Sequence, residues 1–379
     1  MTMADNKDKK VLNVPALRFP GFSGEWHKHS LGEIGETIIG LTYKPSDVVA
    51  DNGIIVLRSS NIKNGVIDYS DLVRVNKHVK DRIITKENDI LVCSRNGSQR
   101  LIGKNAIIKR EDINNTFGAF MMVYRSNDNP FILPLLSTRR YISQVGENLG
   151  ARINQITTSD FNGFEFYFPE NHVERAKIAE LFRLLDERIA TQNKIIEKLE
   201  TLIKGIIETV ISSQKPNTLI KNCLECNSST LQEIQVAETG AFPVYGATGI
   251  SGYTETADIN GESILIIKDG SGVGIVKFVT GEYSYIGTLN SLIAKDGYCL
   301  KYIYFSLQRF SFEPYKTGMA IPHIYFKDYG KAKIYCPSLS LQTLIAQKLS
   351  LIENKMEVEK RIILCYQLQK SYLLSRMFI

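Results

Sequence analysis

Residues 318–337 read GMAIPHIYFKDYGKAKIYCP, and residues 150–169 read GARINQITTSDFNGFEFYFP. Laid over one another without a gap, at an offset of 168, they agree at six of twenty positions. These are Gly150/Gly318, Ile153/Ile321, Ile156/Ile324, Asp160/Asp328, Tyr167/Tyr335 and Pro169/Pro337. In the same register Phe161 faces Tyr329 and Phe166 faces Ile334. Each stretch runs from a polar loop through a short aromatic and aliphatic strand to a proline. A long segment of helical period follows each one. A junction built twice at so long a spacing marks a duplicated domain rather than a solenoid repeat.

Outward from the two junctions the chain repeats one order. Residues 1–15 read as a frayed, disordered polar tail. Residues 16–170 form a first β-rich domain, with strands such as GIIVLRSS (53–60), NDILVCS (88–94) and NAIIKR (105–110) and turns at Asn52-Gly53 and Asn64-Gly65. Residues 171–213 switch to helical period, and SSQKPNT (212–218) breaks it. A second β-rich domain covers residues 214–338, with ESILIIKDG (262–270) and GIVKFV (274–279), and a second helix covers residues 339–379. The expected class is α+β: two β-rich heads, each followed by a long helix.

The helices carry the most regular pattern. In the first, steps of four and three pick out Ile178, Phe182, Leu185, Ile189, Gln192, Ile196, Leu199, Ile203, Ile206 and Val210. In the second they pick out Ile345, Leu349, Ile352, Met356, Glu359, Ile363, Tyr366, Lys370, Leu373 and Met377. A period of about 3.5 residues over several heptads is a coiled-coil seam. An amphipathic helix lying on its own domain would also carry such a stripe, but about 40 residues make a rod of roughly 60 Å, longer than a small domain is wide. Two similar halves related by a two-fold axis across the rods would pair the helices antiparallel. Gln192 and Glu359, at matching stripe positions, would then lie in neighbouring central layers and fix register.

Candidate catalytic and metal motifs fail on spacing. GSGVG (270–274) follows a strand but is G-x-G-x-G, and IVKFV after it reads as a strand where a phosphate-binding helix is needed. GSQRLIGK (97–104) is one residue too long for a P-loop, and Asn105 stands where Ser or Thr must ligate magnesium. His27, His29, His78, His172 and His323 make no i, i+4 pair, and Cys223-x-x-Cys226 has no second pair at finger spacing. Neither a G-x-S-x-G elbow nor the N-P-P-F/Y tetrapeptide of amino-methyltransferases occurs. The expectation is a non-catalytic chain with no metal and no cofactor. Net charge is +6, a mild excess that permits a polyanion partner. The first residues, MTMADNKDKK, lack the apolar core of a signal peptide, and no window reaches ~18 uninterrupted apolar residues. A cytoplasmic location is expected.

What recurs is polar and basic residues in turns beside short strands. The first head offers Arg58, Ser60 and Asn61, then Arg95, Asn96, Ser98, Gln99 and Arg100, then Arg152, Asn154 and Gln155. The second offers Lys268, Ser271, Asn290, Lys316 and His323. Arg, Asn and Gln pair with purine edges, and Lys and Ser suit phosphates. For any single residue a solvated loop accounts for the same character.

Several stretches resemble the specificity subunits of type I restriction–modification enzymes. LRFPGFSGEWHKHSLGEI (17–34) is similar to their opening, NDILVCSRNGS (88–98) to their D-I-L-V strand and glycine turn, and FPVYGATGISGY (242–253) to the start of their second recognition domain. The strand–proline–helix junctions resemble the repeated "P…E-Q-x-x-I-A" signature. Each half keeps one member of its Glu-Gln pair, as Glu174-Arg175 and Leu341-Gln342. The resemblance implies a DNA-reading subunit without an active site. It also implies two modification (methyltransferase) subunits docked on the helices, with adenine methylation. S-adenosylmethionine, ATP and magnesium would sit on partner subunits, restriction subunits among them. A non-catalytic coiled-coil scaffold whose heads bind proteins is the alternative.

Overall fold

In both halves the strand that precedes the proline returns to the beginning of its head. The computed structural model describes residues 12–149 and 154–379. Glu165–Phe168 pairs antiparallel with His27–Ser30, and Lys333–Ile334 pairs antiparallel with Thr218–Leu219. Just beyond each pairing, the Leu31 N–H donates to the Phe164 carbonyl and the Ile220 N–H to the Ala332 carbonyl, both at 2.9 Å. Phe164 and Ala332 are again 168 residues apart. The closure buries most of the echoed apolar positions: Phe161, Phe166, Ile156, Ile324, Tyr329 and Ile334 are in the cores, whereas Ile321 is 65% exposed. Gly318 is fixed by geometry as well. Its φ is +89°, and a Cβ there would sit 2.3 Å from the Ile321 carbonyl oxygen.

Between its ends the first head holds two four-stranded sheets. One runs Glu36–Ile39, Met121–Arg125, Ile90–Cys93, Asn105–Ile107 in spatial order. Ile90–Cys93 is apolar throughout because both faces of its sheet are covered. Ile90 and Val92 face a cluster with Trp26 and Phe131, whereas Leu91 and Cys93 face one with Phe117 and Met121. The second head holds a six-stranded sheet in which Ile259–Ile267 and Val276–Tyr285 are antiparallel neighbours. GSGVG lies in the connection between them, as a glycine hairpin requires, with Gly270 and Gly274 at φ +100° and +92°. Residues 1–11 of the expected tail lie outside the described residues. Residues 12–15 are not frayed: the Trp26 N–H donates to Asn13 at 2.7 Å, and Pro15 is buried.

The long helices span His172–Ile207 and Leu339–Met377. The chain divides into two compact units, residues 1–191 with 363–379 and residues 192–362. Each unit holds one head and a part of each helix. In the first unit Phe182 stacks on Phe378 with ring centroids 5.6 Å apart, and Lys370 reaches Asp186 at 2.5 Å. The later partner on one helix meets the earlier one on the other, so the segments run antiparallel. In the second unit Ile203 and Ile207 share a core with Ile345 and Leu349. Of the stripe, Ile178, Phe182, Leu185, Ile203, Ile345, Leu349, Glu359, Ile363 and Met377 are buried. Ile189, Gln192, Ile196, Leu199, Ile352 and Met356 are half-buried. The expected stripe fails at one end. After Ile203 burial passes to Ile207 and Ile211, at 1% and 2% exposure, and Val210 is 38% exposed. A π-helical turn at Glu208–Ser212 follows, and steps of four there pack the helix onto the head instead of along a seam.

The split Glu-Gln pair has two structural roles at one position. Glu174 and Gln342, again 168 apart, are 0% and 1% exposed in the first helical turn. Glu174 takes the Arg18 guanidinium in a two-point pair at 2.6 and 2.7 Å. Gln342 accepts the Cys299 N–H at 3.0 Å and donates to Pro337 at 2.8 Å. Each ties the neck to a different part of its head.

Gln192 Oε1 and Glu359 Oε2 are buried without a hydrogen-bond partner among the described residues. Such acceptors cost stability and are kept where they specify a pairing. The double variant Gln192→Leu/Glu359→Leu is expected to unfold at higher temperature, by about 1–3 kcal/mol of relieved desolvation. It should also lose its single helix register, read by site-directed crosslinking. Retention of one register would remove the specifying role.

Candidate nucleic-acid interface

The same backbone frame presents the polar loops of both heads. In the first, the Ile156 N–H donates to Ser94 at 2.9 Å and the Asn96 N–H to Asn154 at 3.4 Å, around an Arg95–Gln155 bridge. In the second, the Ile324 N–H donates to Lys268 at 3.0 Å and the Gly270 N–H to Pro322 at 2.9 Å, around an Asp269–His323 bridge. The turns close alike, with Gly103 donating to Cys93 at 2.8 Å and Gly274 to Ile267 at 2.9 Å. The first two bonds recur at the same offsets and place the turn after a central strand against the loop before the neck, once in each unit, while the third closes a turn of ten residues in one head and seven in the other.

On this frame the first head gathers Arg58, Ser60, Arg95, Asn96 and Asn154 around one cleft of about 1040 Å³. The Arg95 guanidinium lies 5.2 Å from the centroid of the Phe120 ring. Arg58 is held by Asp71 at 2.8 Å. Asn96 shapes the turn, donating to Ser59 at 2.9 Å and accepting the Ser98 N–H at 3.0 Å. Asn154, at φ +40°, donates to Gly97 at 3.0 Å. Ser98, Gln99 and Arg100 are exposed on the turn and Gln155 is half-buried beside it. Arg152 lies outside the described residues.

In the second head the bridges bring the Lys268 and Ser271 turn to His323, which also pairs with Thr317. Ser271 is exposed and Lys268 half-buried. The His323 ring lies 5.2 Å from that of Tyr325, and Lys316 is drawn to Glu313 in an ion pair. That pairing offsets part of the Lys316 charge.

Two candidates are corrected. Asn61 is fully buried, accepting the Arg58 N–H at 2.9 Å and donating to Asp68 and Asp71 at 3.0 and 2.7 Å. Asn290 is 5% exposed, pairs across the sheet with Ile266, and accepts from the Ser228 hydroxyl at 2.8 Å. Asn61 is spent on loop backbone before any ligand arrives, and Asn290 is buried in the sheet with its oxygen already used. Phe120 was missed: it is 60% exposed at the mouth of the cleft. An aromatic directly before a strand reads as core; only the small Gly118-Ala119 ahead of it signals a turn that turns it outward.

Two thiols, buried Cys93 and half-buried Cys226, are protonated at neutral pH. Burial pushes Cys93 and Cys226 up to about 11. Nearby, the Lys63 ammonium and the Ser70 hydroxyl hold Asp68 down to about 2, so the hairpin under Asn61 keeps its ion pair. Among the described residues no helix is long and apolar enough to cross a membrane.

A duplicated head on a common frame, each head feeding a long helix, defines a protein of two equivalent α+β halves. A family profile described as "Type I restriction modification DNA specificity domain" matches residues 23–201 and 220–364, and the chain belongs to that family. The chain is similar to the type I restriction enzyme StySPI specificity subunit of Salmonella potsdam, 26% identical over 251 residues, covering 64% of this chain and 53% of that one. It is also similar to the EcoKI specificity subunit of Escherichia coli, 27% identical over 192 residues, covering 48% of this chain and 37% of that one. The matched stretch thus spans about half, or less, of the length of these relatives. In fold it resembles the crystal structure of a type I restriction–modification S subunit from M. genitalium. That match has a TM-score of 0.70 at 18% identity, and covers 97% of this chain and 99% of that one.

The burial difference separates two kinds of asparagine and arginine. Asn61→Ala is expected to destabilise the fold by about 1–3 kcal/mol, because it leaves buried backbone groups unpaired. Arg95→Ala should leave the unfolding free energy within about 0.5 kcal/mol of the parent, since it is a surface change. Thermal or urea unfolding of the two variants checks both.

Proposed function

We propose that this chain is the DNA-reading subunit of a type I restriction–modification complex, and that its heads read the two halves of an asymmetric bipartite site. The supporting observation is the shared frame with unlike side chains. Two equivalent backbone bonds recur, yet Arg95 and Gln155 in one head stand where Asp269 and His323 stand in the other. Sequence is read by such side chains at base edges, while a common frame serves positioning.

The helices supply surface for protein partners. Leu344, Leu351 and Val358 recur at heptad spacing in the second unit and are 49%, 63% and 49% exposed. In the first unit Leu364, Leu368 and Tyr372 are more than half exposed. Apolar rows of this kind mark interaction sites. On this reading two modification subunits dock along them and bring S-adenosylmethionine, and restriction subunits bring ATP and magnesium. The chain itself positions, and its partners methylate adenine or cut.

Base-resolution methylation mapping of the complex is expected to give two unlike half-sites around an unread spacer. A continuous or palindromic motif would overturn the bipartite reading. Insertion of one heptad into both helices should lengthen the spacer and leave both half-sites unchanged. At the level of one residue, Arg95→Ala should relax one half-site by about 1–3 kcal/mol if it reads a base, or lower the salt slope of binding by ~1 if it holds a phosphate. Absence of salt-dependent DNA binding by the complex would favour the protein-scaffold alternative.

A further inference from the structure

The cleft of the first head is lined by aromatic surface, which the outside of a duplex does not match. B-DNA offers a protein its charged phosphates, its sugars and the edges of its bases, and it keeps the flat faces of the bases inside the stack. The cleft is concave, with a volume of about 1040 Å³. That is just above the range of small-molecule sites, about 300–1,000 Å³. Its walls combine aromatic surface, from Tyr43 and Phe120, with polar groups from Arg58, Ser60, Asn96 and Asp71. Flat aromatic surface suits a base face, and a small set of donors and acceptors suits a base edge.

Phe120 is held as a platform, not left as a loose loop residue. Its carbonyl accepts three hydrogen bonds, from the N–H groups of Ser94 and Arg95 at 3.0 and 3.1 Å and from the Ser94 hydroxyl at 2.9 Å. Its ring is nonetheless 60% exposed, with the Arg95 guanidinium 5.2 Å from the ring centroid. A large apolar ring kept in water by a fixed backbone and flanked by a cation is preorganised for a flat, electron-rich partner in an anionic polymer. Arg95 supplies positive charge where a phosphodiester would follow the base into the cleft, while Arg58 is already paired with Asp71.

We infer that the cleft of the first head takes one unstacked nucleotide of its half-site, stacked on Phe120 and read along its edge by the polar wall. The inference rests on the DNA-reading role proposed above and adds a specific event to it: the first head recognises part of its half-site by extruding a base, not by groove contacts alone. Extrusion costs unpairing and unstacking energy, which a mismatched pair has already lost.

The test is a mismatch scan of the recognition site, with affinity measured for the modification complex. A mismatch at a groove-read pair weakens binding. At the extruded position a mismatch should tighten binding about tenfold, since part of the few kcal/mol of unpairing is removed. Two variants then assign the position. Phe120→Ala removes the platform. Val48→Trp fills the cleft from its exposed wall and leaves Phe120 in place. The expected result is one position whose tightening disappears in both variants, with the other half-site still recognised as proof of folding. If no position tightens, or if every tightening survives both variants, the cleft is not a nucleotide site. Loss in Phe120→Ala with survival in Val48→Trp would place the ring inside the stack and also overturn occupancy of the cleft. A parent complex with no salt-dependent DNA binding at all would instead sink the DNA-reading role.

Discussion

Each head depends on one long-range closure. The strand before the neck must pair with the strand that began the head, as Glu165–Phe168 does with His27–Ser30 and Lys333–Ile334 with Thr218–Leu219. More than a hundred residues separate the partners in each case. Closing a loop of that length costs entropy that a few backbone bonds do not offset. The offset comes from burial. Phe161, Phe166 and Ile156 in one head, and Tyr329, Ile334 and Ile324 in the other, are between 0% and 5% exposed. At roughly 1.5–3 kcal/mol for each large side chain removed from water, the neck is a major source of cohesion. This is why its apolar positions repeat while the loops above it diverge.

The closure also determines where the polar loops lie. The residue that buries at the neck, Ile156 or Ile324, is the one whose N–H bonds to the turn after the central strand. The neighbouring residues, Asn154 and Gln155 or Pro322 and His323, are therefore carried to the tip of that turn. One bond serves both the fold and the placement of the loop. Sequence can change on the solvent side of it without loss of the frame, which is what a recognition head needs.

The frame was legible in sequence because periodicity and self-similarity survive divergence. The junction, the heptad stripes and the hairpin around GSGVG all follow from patterns of apolar residues and glycine. The candidate site was legible only in part. An asparagine in a turn has the same neighbours whether it faces a ligand, caps the turn as Asn96 does, or is buried as Asn61 is. Only the fold distinguishes them, through Asp68 and Asp71 carbonyls several residues away that take both amide protons. Phe120 was hidden for the converse reason, since hydrophobicity predicts burial and exposure here is imposed by a backbone held from Ser94 and Arg95. The stripe slipped at Ile207 because a heptad rule assumes a helical partner, and the end of that helix packs on a sheet-based head.

The bridge position also bears on why the two heads differ. Arg95 is paired with Gln155, and Asp269 with His323, on the same backbone bonds. An arginine there carries positive charge and five donors toward a phosphate or a guanine edge. An aspartate carries acceptors only, repels phosphates and suits a cytosine amino group. One frame with its charge reversed at one point cannot present the same surface to both halves of a site. On the proposed role, then, asymmetry of the DNA site follows from a single exchange of side-chain chemistry, and the fold need not change to produce it.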